Sequence, residues 1–180
     1  MKTFIEIGSC DFQTLNHFTQ HDGWNGVIVE PIKKYLDNLT KREGIQYMNY
    51  AIGPNDGTAT MHVFKDAIID KDKDYAGMST MNPTPTNLAR HNYTEIEVNT
   101  ITYATLLKKC NIKRVDFVKI DTEGQDFKIL KQINFYDQCR PHIIKIEHKH
   151  LDAKAMAEFL IKHGYHVDVQ KQDIFAISLK

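Results

Sequence analysis

Neither sign of charge dominates this chain. Lys plus Arg and Asp plus Glu number 23 each, and the formal net charge is zero. That balance offers no electrostatic footprint for nucleic acid, so no nucleic-acid partner is expected. No apolar run approaches the roughly 18–20 residues that span a membrane, so no membrane partner is expected either. The N-terminal Met-Lys-Thr-Phe-Ile-Glu-Ile-Gly carries one Lys and no long apolar segment, which argues against a signal peptide. Cysteine is scarce: Cys10, Cys110 and Cys139 stand far apart, show no metal-type pairing, and fit a reducing, cytoplasmic setting. Glycine is also sparse, at nine, and no G-x-G-x-x-G occurs, so a pyrophosphate cradle lacks support. No internal repeat, low-complexity tract or linker divides the chain. Its 180 residues read as one domain over 1–180, with a β/loop insertion over 58–101.

What remains is a regular alternation. Residues 3–8 read as a strand, followed by a small polar turn at Gly8-Ser-Cys-Asp11 and a helix over 15–20. Residues 26–30 form a second strand, and a helix follows over 33–41. Residues 46–52 form a third, and Gly53-Pro-Asn-Asp-Gly57 is a turn. Residues 58–64 and 94–101 alternate and are expected to pair. Residues 65–74 are a charged excursion, and 77–86 is a loop of hydroxyls, Met and Pro that forms either a cleft wall or an idle connection. A short helix follows over 103–110. Val115 to Lys131 reads as a buried strand, an acidic turn and an amphipathic helix. The chain closes with a strand over 141–147, a helix over 152–163 ended by Gly164, and a hairpin over 165–179. Strands alternating with helices give an α/β fold in three layers. Its sheet is mostly parallel, with a C-terminal antiparallel hairpin and a small β excursion.

Four strands end at or near an acid: Glu6, Glu30, Asp121 and Glu147. Parallel strands set their carboxyl ends on one rim, where open α/β sheets bind ligands. The four acids should therefore share a cleft. Such a cleft repels phosphate and tolerates a cation. Glu6, buried in its strand, needs a cation or donors, which points to a ligand amine. Glu30 stands where dinucleotide-type folds bind a ribose diol, or else is a solvated strand end. Asp121 and Glu123 either wall the cleft or start the helix after it. S-adenosylmethionine fits these constraints, with a sulfonium, an amine, a diol and no phosphate.

The chain resembles the FkbM-type methyltransferases, a family of S-adenosylmethionine-dependent O-methyltransferases on the class I Rossmann-like fold. The resemblance rests on Phe4-Ile-Glu-Ile-Gly8 with Ser-Cys-Asp after it, Val29-Glu-Pro31, Asn49 through Thr60, Lys119-Ile-Asp-Thr-Glu-Gly124 and Ile146-Glu-His148. It implies that Glu6, Gly8, Ser9, Cys10 and Asp11 hold the methionine part of the cofactor. Glu30 would bind the ribose, Pro31 or Ile32 would flank the adenine, and Ala51 and Ile52 would line its pocket. Asp121 would face the amine or the transferring methyl. Two departures stand out. Phe12 replaces a usual Gly or Asn, and the family's helix before the first strand is missing, so a lid from 77–86 or a second subunit in a homo-oligomer is expected to cover the cleft.

Methyl transfer to a hydroxyl needs the acceptor oxygen held in line and its proton removed. Asp121, Glu123 and His148 are the candidate catalytic residues. Asp121 and Glu123 with His148 or His150 would also suit a divalent cation, but no ligand spacing compels one and no metal set is assigned. The expected partner is a small-molecule or carbohydrate hydroxyl acceptor. Two other classes are a catalytically inactive cofactor- or nucleotide-binding module of a larger assembly, and a nicotinamide oxidoreductase, which the missing glycines disfavour. A nucleic-acid methyltransferase is disfavoured by the neutral charge and by the lack of an Asn/Asp-Pro-Pro-aromatic motif.

Overall fold

The computed structural model describes residues 2–12, 14–15, 23–64, 79–82, 93–149 and 151–179. Its strands are β1 (Lys2–Ile7), β2 (Trp24–Val29), β3 (Ile45–Met48), β4 (Ala51–Ile52), β5 (Gly57–Phe64), β6 (Tyr93–Ile101), β7 (Phe117–Ile120), β8 (Ile143–Glu147), β9 (Tyr165–Val169) and β10 (Asp173–Ser178). Its helices are α1 (Lys33–Asn38), α2 (Tyr103–Lys109), α3 (Asp126–Leu130) and α4 (Ala153–Lys162). Most of the helix expected over 15–20, the excursion over 65–74 and His150 lie outside the described residues.

Seven strands form one sheet in the order β3-β2-β1-β7-β8-β10-β9. All are parallel except β10, which pairs antiparallel with both β8 and β9. The central strands are apolar on successive residues because both faces of the sheet are covered. Ile5, Ile7, Val118, Ile120, Ile144 and Ile146 pack with Leu106, Ile129, Leu130, Met156 and Leu160 of α2, α3 and α4. Phe4 and Ile28 pack on the other face with Leu36 of α1, Leu39 and Leu15. Each such side chain contributes about 1.5–3 kcal/mol by leaving water, so truncating Ile120 to Ala costs roughly 2–5 kcal/mol. Helix ends are fixed locally. Asp152 accepts from Ala155 N at 3.0 Å to start α4, and Gly164, at φ +79°, follows its C-cap.

The third strand departs from the expected single run over 46–52. It breaks at Asn49, whose Nδ2 donates to the carbonyls of Glu30 (2.9 Å) and Pro31 (2.8 Å). Those two bonds turn the chain out of the large sheet. Residues 51–52 then join a second, three-stranded sheet ordered β4-β6-β5, in which β5 and β6 pair antiparallel, as their alternation predicts. The second sheet has its own core of Met61, Val63, Val98 and Ala51, shared with Ile32 and Tyr35 at the start of α1. It therefore leans against the carboxyl end of β2. Among the described residues no helix is long and apolar enough to cross a membrane.

Candidate active site at the topological switch point

The chain runs outward from β1 to β2 to β3, then returns to the other side of β1 to build β7 and β8. The strand order reverses between β1 and β7, and in open α/β sheets a crevice opens beyond the strand ends at such a point. A cleft of about 250 Å³ lies there, lined from the ends of β1, β2, β7 and β8. Its floor depends on Gly8. That residue has φ +78°, and a Cβ placed on it would come within 1.8 Å of the Asp121 carbonyl oxygen. Gly8 N donates to Val29 O (2.9 Å) and Asp121 N to Ile7 O (3.0 Å), so the three strand ends are tied together beneath the cleft.

At one end stands Glu30, 4 % exposed. Its Oε1 accepts from Ile32 N and its Oε2 from Cys10 N, both at 2.8 Å. Cys10 reaches this position with φ +49°, so the turn after β1 is shaped around the carboxylate. Burial pushes the Glu30 pKa up to about 7, against the two amides and helped by the charge of Asp11. The walls around it are apolar: Ile32, Tyr35, Tyr50, Ala51, Ile52, Met61 and Met81.

At the other end, Asp121, Glu123 and Glu147 each bring a carboxylate oxygen within 4.8 Å of the others. Glu123 has φ +52°, and its side chain lines the cleft. The acid in the first turn of α3 is Asp126 instead, which is 1 % exposed and accepts from Thr122 N (2.8 Å) and Gly124 N (2.9 Å) in the turn before the helix. Burial pushes Glu123 up to about 7, with Lys149 opposing and Asp121 and Asp126 adding. Burial pushes Glu147 up to about 8, reinforced by Glu123, Asp121 and Asp126 and opposed by Lys149. Residues 79–82 close this side. Thr80 Oγ1 donates to Glu123 O at 2.8 Å, Gln125 Nε2 donates to Asn82 Oδ1, and Ser79 and Met81 line the cleft. The described part of the 77–86 loop is thus a wall.

The structure brings together most of the residues singled out in the sequence. Gly8, Ser9, Cys10, Glu30, Pro31, Ala51, Ile52, Asp121 and Glu123 all line one cleft. Three do not line it. Glu6 is fully buried beneath the floor. It sits in register with Lys119 on β7, whose Nζ is 3.4 Å from its Oε1, and its Oε2 accepts from Leu15 N at 3.2 Å. Its cation is internal, which corrects the expectation of a ligand amine. Asp11 lies beside the cleft, accepting weakly from Cys10 Sγ at 3.6 Å. His148, just past β8, is bonded to the terminal hairpin, with Nε2 2.9 Å from Gln170 O and its backbone N donating to Gln172 O. The register of β10 against β8 carries the residue after Glu147 away from the cleft.

Sequence reasoning passed over Lys119, Tyr35, Tyr50 and Met61. Lys119 had a signal: a lysine inside an otherwise apolar buried strand. It is 5 % exposed, lies 3.2 Å from Asp121 Oδ2, and lines the cleft. Burial opposes its charge, but Asp121 and Glu6 outweigh burial and hold the ammonium pKa above its usual value. Met61 occupies an inward position of the alternating β5, a weaker signal.

A family model described as "Methyltransferase FkbM domain" matches residues 6–167. No curated protein and no solved structure matches the chain.

Proposed function

The chain belongs to the FkbM methyltransferase domain family, and from that premise we propose that it is an S-adenosylmethionine-dependent O-methyltransferase acting on a hydroxyl of a small molecule or sugar. The observation that carries the reading is Glu30. A buried carboxylate at the end of the second strand, with one backbone amide on each oxygen, keeps acceptor capacity for two neighbouring hydroxyls. The apolar wall from Ile32 to Met61 suits a flat heterocycle next to that diol, with Pro31, Ala51 and Ile52 against its faces. The acids at the far end suit a cationic centre and disfavour phosphate. These features fit the cofactor, which supplies an electrophilic methyl group.

The chain's own residues then do three things. The Gly8-Ser9-Cys10 turn offers backbone next to the methionine portion. Lys119, pinned between Glu6 and Asp121, fixes the position of the Asp121 carboxylate. Asp121 and Glu123 stand as acceptors for the hydroxyl proton. With its pKa near 7, Glu123 is poised to take a proton at neutral pH. The 79–82 wall and the second sheet limit water on two sides.

Calorimetric titration with S-adenosylmethionine and S-adenosylhomocysteine tests the reading. Both are expected to bind, and Glu30→Ala is expected to weaken both by roughly 10- to 100-fold, the worth of a charge-assisted hydrogen bond. Unchanged affinity in Glu30→Ala refutes the ribose assignment. Failure of both ligands to bind the native protein sinks the cofactor reading, and binding without methylation of any supplied hydroxyl compound favours a binding module.

A further inference from the structure

One edge of the large sheet is left open. β9 ends the strand order, and among the described residues no strand lies on its outer side. Its pairing with β10 fixes which backbone groups face outward. Gln170 N donates to Asp173 O (2.8 Å) and Leu179 N to Gly164 O (3.1 Å), so residues 164, 166, 168 and 170 turn their backbone groups toward β10. Tyr165, Val167 and Val169 therefore turn their N–H and C=O groups outward. Edge strands are commonly blunted by Lys, Pro or a bulge. Tyr165-His-Val-Asp-Val169 has neither residue, and its register against β10 runs without a bulge.

This strand is complementary to a second copy of itself. In an antiparallel pair about a two-fold axis at Val167, Val167 stands opposite its own copy and Tyr165 stands opposite Val169. Each of these pairs exchanges its outward backbone groups, so all of them are bonded. His166 then stands opposite Asp168 of the second copy, and Asp168 opposite its His166, in the close positions where side chains meet. Both residues are exposed. Asp168 Oδ2 accepts from Gln170 Nε2 at 3.0 Å, which leaves Oδ1 for the imidazole. Moving the axis to Tyr165 or Val169 runs each strand into the other's helix end or hairpin turn.

The helix-covered face adds apolar surface at the same edge. Val169 is 50 % exposed and shares its face of β9 with Val167, which packs on the main core beside Met156 and Leu160 of α4. Phe159 of α4 packs against Phe127 and Phe135, toward the middle of the sheet. Ile161, two residues on, lies on the opposite flank, toward the open edge, and is 59 % exposed. A two-fold axis normal to the sheet brings both copies of α4 to one face, with Ile161 and Val169 of each turned toward the join. We propose that the chain forms a two-fold dimer by antiparallel pairing of β9 with β9 of a second copy, centred on Val167. The two seven-stranded sheets become one. Because β9 runs parallel to β8, the clefts open on opposite rims of the joined sheet, and neither copy covers the other's cleft. The dimer does not depend on the methyl-transfer reading.

Sedimentation equilibrium up to about 100 µM tests the join, since dimerisation follows protomer concentration. The native protein is expected to sediment as a dimer. Val167→Pro removes an outward N–H without touching the β10 ladder and is expected to give a monomer. His166→Asp sets like charges opposite one another twice over and is expected to weaken dimerisation about 10-fold. Adding Asp168→His to it exchanges the two residues and is expected to restore native affinity. Circular dichroism checks folding, and His166→Asp, an exposed change, is expected to fold whatever Val167→Pro does. A native protein that stays monomeric at about 100 µM overturns the proposal. So does native affinity in folded His166→Asp, or a double variant that binds no tighter than the single one.

Discussion

The two ends of the cleft solve the problem of a buried carboxylate in opposite ways. Glu30 receives a backbone amide on each oxygen and stands among apolar walls, so its hydrogen-bond partners come from the fold itself. Asp121, Glu123 and Glu147 face one another and share two lysines with further acids. Glu30 is complete before any ligand arrives and suits a neutral, hydrogen-bonding group. The other end gathers three carboxylates within reach of one another, and a positively charged group gains by binding there. The difference follows from position. Glu30 is followed by a turn into α1 that presents amides, whereas the three acids come from two neighbouring strand ends whose chains diverge.

The largest expected effect breaks both ends at once. Gly8 lies at the seam, and an added Cβ meets the Asp121 backbone rather than a movable side chain. Gly8→Ala is expected to cost several kcal/mol, lower the melting temperature on the order of 10 °C, and abolish cofactor binding. Near-native melting and binding would show that the seam is looser than its geometry indicates.

A middle-sized effect separates the ends by pH. Glu30 and Glu123 at about 7 and Glu147 at about 8 lie above the ordinary carboxylate value of 4.5. The folded state therefore keeps protons that the unfolded chain has released. These groups take stability away as pH rises from about 4.5 to about 8, and their penalty is complete above that. Glu147→Gln removes the highest of the three and should flatten the fall in melting temperature between pH 5 and pH 8, while leaving cofactor affinity near native. An unchanged slope would remove Glu147 from the account. His148→Ala should do least. It loses a bond to Gln170 O, worth about 0.5–1.5 kcal/mol, and both cofactor affinity and turnover should stay within about twofold. A large loss of turnover would return the imidazole to the cleft.

The elements and the acids that end them were legible in the chain. Ile5, Val27, Val118 and Ile144 sit in short runs that no solvated strand would carry, and Glu30, Asp121 and Glu147 punctuate those runs. The break at Asn49 was not legible, because a strand that changes sheets keeps its alternation while two side-chain hydrogen bonds redirect it. The internal partner of Glu6 was not legible either. Lys119 lies 113 residues away, and only the β1–β7 register sets them side by side.

By itself the sequence determined the alternating α/β architecture and the parallel sheet with its closing hairpin. These depend on local periodicity, which neighbours in the chain set. The tertiary structure alone decided which acids meet. It buried Glu6 on Lys119, placed Asp126 rather than Glu123 in the first turn of α3, bonded His148 to the hairpin, and set Glu147 beside Asp121 and Glu123. Strand order and register govern those distances, and they are fixed by the packing of the whole sheet rather than by any one segment.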